Sequence, residues 1–270
     1  RPSEYLQVGY ELFQRDDPVA ADAEVFALFS EVLSPAGLRA VTGDIGILLA
    51  AIDSLTTTEA RKSALRRHVW RPRRFRALIE RYTGRLPASP ARTALIEALD
   101  GRDAATLIAE AGPEIGLRSA EEVAARLAAL AEDAAAPPIP AAEAEVLGAI
   151  LSLKAALPDA CARLRDVCVD LPGLSPAVET FAARIAALDE AGIDVAGLPF
   201  EASFGRTTME YYDGFVFGFL AEGRAELPPV ASGGRYDALT RILGGGRSIP
   251  AVGGVIRPEV LHRVMAEVGT

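Results

Sequence analysis

Apolar and polar residues alternate strictly over residues 4–13 of this chain. Leu6, Val8, Tyr10 and Leu12 fall on one face and Gln7, Gly9 and Glu11 on the other, which predicts a β-strand. A polar strand face either meets solvent, the commoner case in antiparallel sheets, or lines a polar pocket. Residues 210–219 alternate in the same way, with Tyr211, Phe215, Phe217 and Phe219 opposed to Tyr212, Gly214, Val216 and Gly218. Glycines sharing one strand face mark either a ligand close to the backbone or room for a bulky neighbour, and the pattern leaves both readings open. The first strand is expected to pair with this second one. Two further β-like pieces follow, Gly-Gly-Arg-Tyr-Asp at 233–237 and the stretch from Pro250 to Leu261.

The spacing elsewhere is helical. A helix is expected from Ala21, with Asp22 and Glu24 in its first turn, where carboxylates suit the helix dipole. It ends near Pro35-Ala36-Gly37. A short strand at 38–42 and a helix at 45–55, capped by Asp44 or a nearby polar residue, come next. From 56 to 192 apolar positions recur every three to four residues, predicting helices at 58–82, 90–100, 119–134, 141–156 and 175–191. Ser119-x-x-Glu122 has the form of a capping box, and Pro176 suits a helix start. Residues 136–140, Ala-Pro-Pro-Ile-Pro, read as a stiff connector between packed helices. No fixed period recurs, which argues against a solenoid. A last helix is expected from Pro258 to Val268.

Composition narrows the function classes. In 270 residues, 50% are apolar and 24% charged, ordinary for a globular protein. The net charge of −9 disfavours generic DNA or RNA binding, which draws its affinity from phosphate neutralisation. Cys161 and Cys168, one heptad apart, read as small apolar residues of a reducing compartment. No apolar run is long enough for a membrane span and no signal peptide is evident, so a cytoplasmic location is expected. His68, Trp70 and His262 lack neighbours with metal-ligand spacing, and neither metal nor cofactor is expected. The glycines at 244–246 lack the lysine of a phosphate-binding loop and read as a tight turn. One stretch departs from the acidic average: ten of the cations lie between Arg61 and Arg85, among them Arg66, Arg67, Arg73 and Arg74. They form either a solvated face or a docking surface for an acidic partner or RNA.

Several short motifs together carry a resemblance. Gln7-x-x-x-Glu11, Tyr211-Tyr212, Gly233-Gly234-Arg235-Tyr236-Asp237 and Pro250-Ala251-Val252-Gly253 occur in the order found in histidyl-tRNA synthetases, and the chain resembles that family. Phe204-Gly205-Arg206 and Ile256-Arg257-Pro258-Glu259 make it most similar to the paralogous family of regulatory subunits of ATP phosphoribosyltransferase, in histidine biosynthesis. The likeness covers residues 1 to about 53 and about 195 to 265. It implies an α+β fold, a class II aminoacyl-tRNA synthetase-like antiparallel sheet core flanked by helices. Residues 1–53 and 195–270 would form that core and 54–194 a helical insertion. It also implies a histidine pocket in which Gln7 and Glu11 hold the α-ammonium, Tyr212 and Tyr236 contact the imidazole, and Arg206 and Thr207 lie near the ligand. A carboxylate accepts from an ammonium, and a tyrosine hydroxyl can donate to or accept from either ring nitrogen.

The departures from the synthetase pattern bear on chemistry. Val260 stands where the synthetase has an arginine that grips ATP. Arg206 is one residue out of step with the catalytic arginine, and Thr207 occupies the matching position. Adenylation builds negative charge on phosphates, so loss of two cations argues against it and no catalytic residue is expected. The resemblance then implies a noncatalytic subunit that mediates histidine feedback on the short-form catalytic subunit of ATP phosphoribosyltransferase. Residue 1 would fall inside the family's second motif, leaving the first motif, with the homodimer seam, upstream, and no room is expected for an anticodon-binding domain after residue 268. Two rivals stand beside this reading: a histidyl-tRNA synthetase catalytic fragment that activates histidine with ATP, and a stand-alone amino-acid-binding module.

Overall fold

In the computed structural model, which describes residues 4–14, 16–113, 115–206 and 211–268, the alternating stretches become strands of one seven-stranded sheet. The chain runs through β1 (Val8–Phe13), α1 (Pro18–Leu33), β2 (Arg39–Asp44), α2 (Ile45–Asp53), α3 (Glu59–Arg67), α4 (Pro72–Tyr82), α5 (Pro90–Leu99), α6 (Ala104–Glu110), α7 (Ala120–Ala135) and α8 (Ala141–Ser152). It continues as β3 (Lys154–Ala156), α9 (Leu157–Asp170), α10 (Ser175–Glu190), β4 (Pro199–Glu201), β5 (Phe215–Leu220), β6 (Ala231–Arg235), α11 (Asp237–Leu243), β7 (Ala251–Ile256) and α12 (Pro258–Val268). The strand order is β1-β7-β6-β5-β2-β4-β3. Among the described residues only β2 and β4 pair in parallel; the other pairings are antiparallel.

β1 therefore lies at an edge and pairs with β7, not with the 210–219 strand as expected. Period-two alternation fixes which face a side chain takes but carries no information about the neighbouring strand. The second alternating stretch becomes strand only from Phe215, and its rings pack beneath α1. Phe26 lies 6.1, 5.6 and 5.5 Å from Phe215, Phe217 and Phe219, and Phe29 lies 5.4 Å from Phe217. The opposite face of β5 is filled by neighbours. A Cβ on Gly218 would stand 2.6 Å from Phe204 Cζ, and one on Gly214, just ahead of the strand, 3.1 Å from Arg235 Cδ. These glycines accommodate side chains.

The chain divides into two units, residues 1–54 with 145–270, and residues 55–144. The helical unit thus ends fifty residues earlier than the expected boundary at 194. The reason lies in β3 and α10. β3 pairs with β4 through Lys154 and Glu201, extending the sheet, and Phe181 of α10 sets its ring 4.9 Å from Phe200. Periodicity predicts a helix at 175–191 whether that helix covers the sheet or belongs to an insertion.

The first helix also begins earlier than expected. Asp17 accepts from Ala20 N and Pro18 opens α1, an N-cap followed by proline at the first turn. This places Asp22 in the second turn, where it is fully buried. Asp44 caps α2 by accepting from Ile47 N. In the 55–144 unit, Thr58, Ser89, Asp103 and Ser119 cap α3, α5, α6 and α7, and the capping box at Ser119 and Glu122 forms as the spacing predicts. The predicted 58–82 helix breaks at Pro72 into α3 and α4. Arg61 is buried there, bonding Asp133 Oδ1 at 2.5 Å and the carbonyls of Asp133 and Pro137 at 2.7 Å. Cys161 is buried and Cys168 half-buried on α9, both as free thiols.

Candidate functional site

Three adjacent strands bring the sequence-predicted residues together. Glu11 of β1 stands opposite Gly253 of β7, which in turn faces Gly234 of β6. The Glu11 side chain lies across Gly253, where an added Cβ would come within 1.7 Å of its Oε2. Glycine at 253 is what lets this carboxylate fold over the sheet. Tyr236 follows β6 directly, is held by a bond from its N–H to Ala251 O at 3.0 Å, and donates its hydroxyl to Glu11 Oε2 at 2.5 Å. Tyr212 is 5% exposed and lies against Gly234, whose missing Cβ would stand 2.9 Å from the ring. Tyr211 completes the group, 4.7 Å from Tyr212 and edge-on to Tyr236 at 5.9 Å between ring centroids.

Burial, then the nearby Tyr211 hydroxyl and Glu11, push the Tyr212 hydroxyl pKa well above its usual value. For Tyr236 burial again leads, followed by its bond to the Glu11 carboxylate. Both groups therefore lose a proton less readily folded than unfolded. The stability they contribute is full below the unfolded tyrosine value of about 10 and is lost as pH rises above it. Denaturation midpoints measured from pH 8 to pH 11 are expected to fall with pH, and to fall less in Tyr212→Phe, which has no proton to lose.

Aspartates, to which the motifs alone assign no role, anchor both tyrosines. Asp213 accepts from Asp237 N at 3.0 Å and from Ala238 N at 2.5 Å, tying the segment after Tyr212 to the first turn of α11. Asp237 Oδ1 accepts from Ala251 N at 2.8 Å and from Arg235 at 3.0 Å. The visible signal was a Tyr-Asp pair occurring twice, at 212–213 and 236–237. Behind the pocket Arg235 turns the other way, into the core. Its guanidinium meets Asp22 Oδ1 at 2.7 Å and Pro18 O at 2.6 Å. Asp22 Oδ2 takes Arg184 Nε at 2.7 Å, and Arg184 also donates to Asp44 at 2.6 Å and lies 5.0 Å from the centre of the Phe215 ring. Burial works against the Arg184 charge, but Asp22 and Asp44 outweigh it and leave its pKa raised.

Of the predicted residues, Glu11, Tyr212 and Tyr236 converge. Gln7 sits in the exposed coil before β1, four residues or roughly 13 Å of extended chain from Glu11. Arg206 is buried at the end of a turn over 202–206, and Thr207 lies outside the described residues. Val260 is half-buried on α12 and lines a concavity of about 320 Å³ with Tyr5, Leu6, Arg257 and Arg263. Arg257 is engaged there, donating to Pro229 O at 2.7 Å and standing 5.7 Å from the Tyr5 ring centre. This concavity adjoins the Ile256 end of β7, three residues or about 10 Å from Gly253. Among the described residues no cluster of three or more His, Cys, Asp or Glu fit to hold a metal occurs, and no helix is long and apolar enough to cross a membrane.

Comparison with known proteins gives a consistent picture. A family model described as histidyl-tRNA synthetase matches residues 1–138 and 120–261. Proteins named ATP phosphoribosyltransferase regulatory subunit from Brucella canis and Brucella ovis are each 30% identical over 293 residues, spanning 98% of this chain and 73% of theirs. A crystal structure of an ATP phosphoribosyltransferase regulatory subunit/histidyl-tRNA synthetase from Bacillus halodurans shares the fold with a TM-score of 0.61 at 21% identity, covering 98% of this chain and 54% of that one. A histidyl-tRNA synthetase from a Nostoc species does so at 0.57 and 15% identity, covering 97% and 50%. The chain thus spans about half the length of these two solved proteins.

Proposed function

The chain belongs to the histidyl-tRNA synthetase family, within its branch of ATP phosphoribosyltransferase regulatory subunits, and from that premise we propose that it binds histidine as the feedback signal of that enzyme. It is a noncatalytic subunit of the phosphoribosyltransferase, and its partner is the catalytic subunit of that enzyme. The histidine assignment is supported above all by the bond of 2.5 Å between Tyr236 and Glu11 beside two more tyrosines. A carboxylate for an ammonium and hydroxyls for a ring with one donor and one acceptor nitrogen form a small, mixed polar set of the kind that orients an amino acid. In this reading Gln7 joins from upstream when ligand is present, and Arg206 lies near it. Val260 and the displaced Arg206 remove the two cations that the synthetase pattern directs at the nucleotide, so the site is expected to bind histidine without adenylating it.

Feedback requires that histidine bind the active and inactive assemblies unequally, since equal affinity shifts nothing. The reading also includes a homodimer, checked by sedimentation, a cytoplasmic location, and a helical insertion on the synthetase-like core. The test is calorimetry of histidine against the chain with and without the catalytic subunit, together with histidine-dependent exchange of pyrophosphate into ATP. Binding without exchange is expected. Exchange at synthetase rates would make the chain a synthetase fragment, and absence of histidine binding in both preparations would remove the sensor role.

A further inference from the structure

The ten cations between residues 61 and 85 separate into six engaged and four open ones, Arg71 and Arg85 belonging to the first group. Arg61 is buried against Asp133, Lys62 and Arg66 reach Glu59 at 3.6 and 3.5 Å, and Arg81 stands 4.8 Å from the Tyr82 ring centre. Arg67, Arg73, Arg74 and Arg76 are exposed, and none has a carboxylate partner among the described residues. They flank a tight junction in which Arg71 N bonds His68 O and Phe75 N bonds Arg71 O, each at 2.9 Å, so α3 and α4 hold them on a stiff support. Desolvation first, then the charges of Arg74, Arg71 and Arg67, lower the His68 pKa.

The unit that carries this face differs in charge from the rest of the chain. Residues 55–144 hold fourteen of the 28 cations and twelve of the 37 acids, a balance of +2, whereas the remainder carries −11. Surfaces that serve only solubility mix their signs. Between 61 and 85 a single acid, Glu80, accompanies ten cations, at a cost in mutual repulsion. We infer that the open arginine face of α3 and α4 is the docking surface for an acidic face of the catalytic subunit, an inference that rests on the assembly proposed above. Guanidinium groups suit this role because each forms a planar fork that can meet a carboxylate with two bonds. A nucleic acid is the poorer fit. Phe75 and Tyr82, the aromatic rings of α3 and α4, are buried and offer bases no stacking platform on these two helices.

The test compares the full chain with Arg67→Glu/Arg73→Glu/Arg74→Glu and with the corresponding lysine triple, measuring association with the catalytic subunit across a salt series and histidine binding by the chain itself. The glutamate triple should associate on the order of ten- to a hundred-fold more slowly at low salt and lose the salt dependence of the parent, while the lysine triple keeps most of the rate. Residues 73 and 74 lie in the first turn of α4, where glutamate suits the helix dipole, so the variant is expected to fold. Should it not, exposed Arg73→Glu alone carries the comparison. Equal association of parent and glutamate triple would overturn the docking surface and leave the assembly standing. Failure of the parent to associate while still binding histidine would overturn both. Salt-sensitive binding of a single-stranded RNA by the parent, abolished in the glutamate triple, with unaltered catalytic-subunit association, would assign the face to nucleic acid instead.

Discussion

Asp22→Ala is expected to lower folding stability by about 3–5 kcal/mol, the usual consequence of removing one member of a buried ion network. Asp22 is fully buried and gives one oxygen to Arg235 and the other to Arg184. Without it two guanidinium groups, with side chains only 5% and 9% exposed, keep their charge and lose their shared acceptor. Neither can shed a proton to relieve the strain, because arginine stays charged in proteins. Glu59→Ala is the control: this exposed carboxylate pairs with Lys62 and Arg66, and its loss is expected to cost under about 1 kcal/mol. Urea midpoints of both variants decide the matter. A loss for Asp22→Ala no larger than for Glu59→Ala would mean that water hydrates the two arginines and that the network does not organise the core. The same variant should weaken histidine binding, since Arg235 immediately precedes Tyr236.

Histidine affinity is expected to fall about 10- to 150-fold in Glu11→Ala, equivalent to losing a charge-assisted bond of about 1.5–3 kcal/mol. Tyr236→Phe removes a neutral donor and is expected to cost less, about 0.5–1.5 kcal/mol. The ordering discriminates between explanations. If Glu11 only steadied Tyr236, the two variants would lose affinity equally, whereas a carboxylate that meets the ligand ammonium makes Glu11→Ala the more damaging. Glu11 is exposed on an edge strand, so its truncation should leave the melting temperature nearly unchanged. Calorimetry with unchanged affinity in Glu11→Ala would exclude this residue from the pocket.

Much of this molecule is legible in its sequence. The alternating stretches became strands, Asp44 and Ser119 capped the helices expected of them, and Glu11, Tyr212 and Tyr236 met across 225 residues of chain. What was lost had identifiable causes. A helix start at Ala21 makes Asp22 a first-turn carboxylate, whereas the Asp17-Pro18 start signal moves the helix three residues upstream and turns a surface acid into a buried one. β3 is three residues long, too short to show any period, so the sheet's far edge and the helices around it were assigned to the insertion. Gly214 and Gly218 left two meanings open, and only Phe204 and Arg235, brought in from elsewhere in the chain, chose between them. The pattern within a strand is a local property. Its neighbours are not.

The position of β1 has a practical consequence. Its one strand neighbour among the described residues is β7, and Leu6, Val8 and Phe13 beside its other margin are 72%, 59% and 57% exposed. A row of unsatisfied amides and carbonyls next to greasy side chains is a template on which another extended peptide can crystallise into register. Concentrated preparations of these 270 residues by themselves should therefore be prone to stick copy to copy along this margin, and a short capping peptide or a lysine placed at Val8 would be the first remedy to try at the bench.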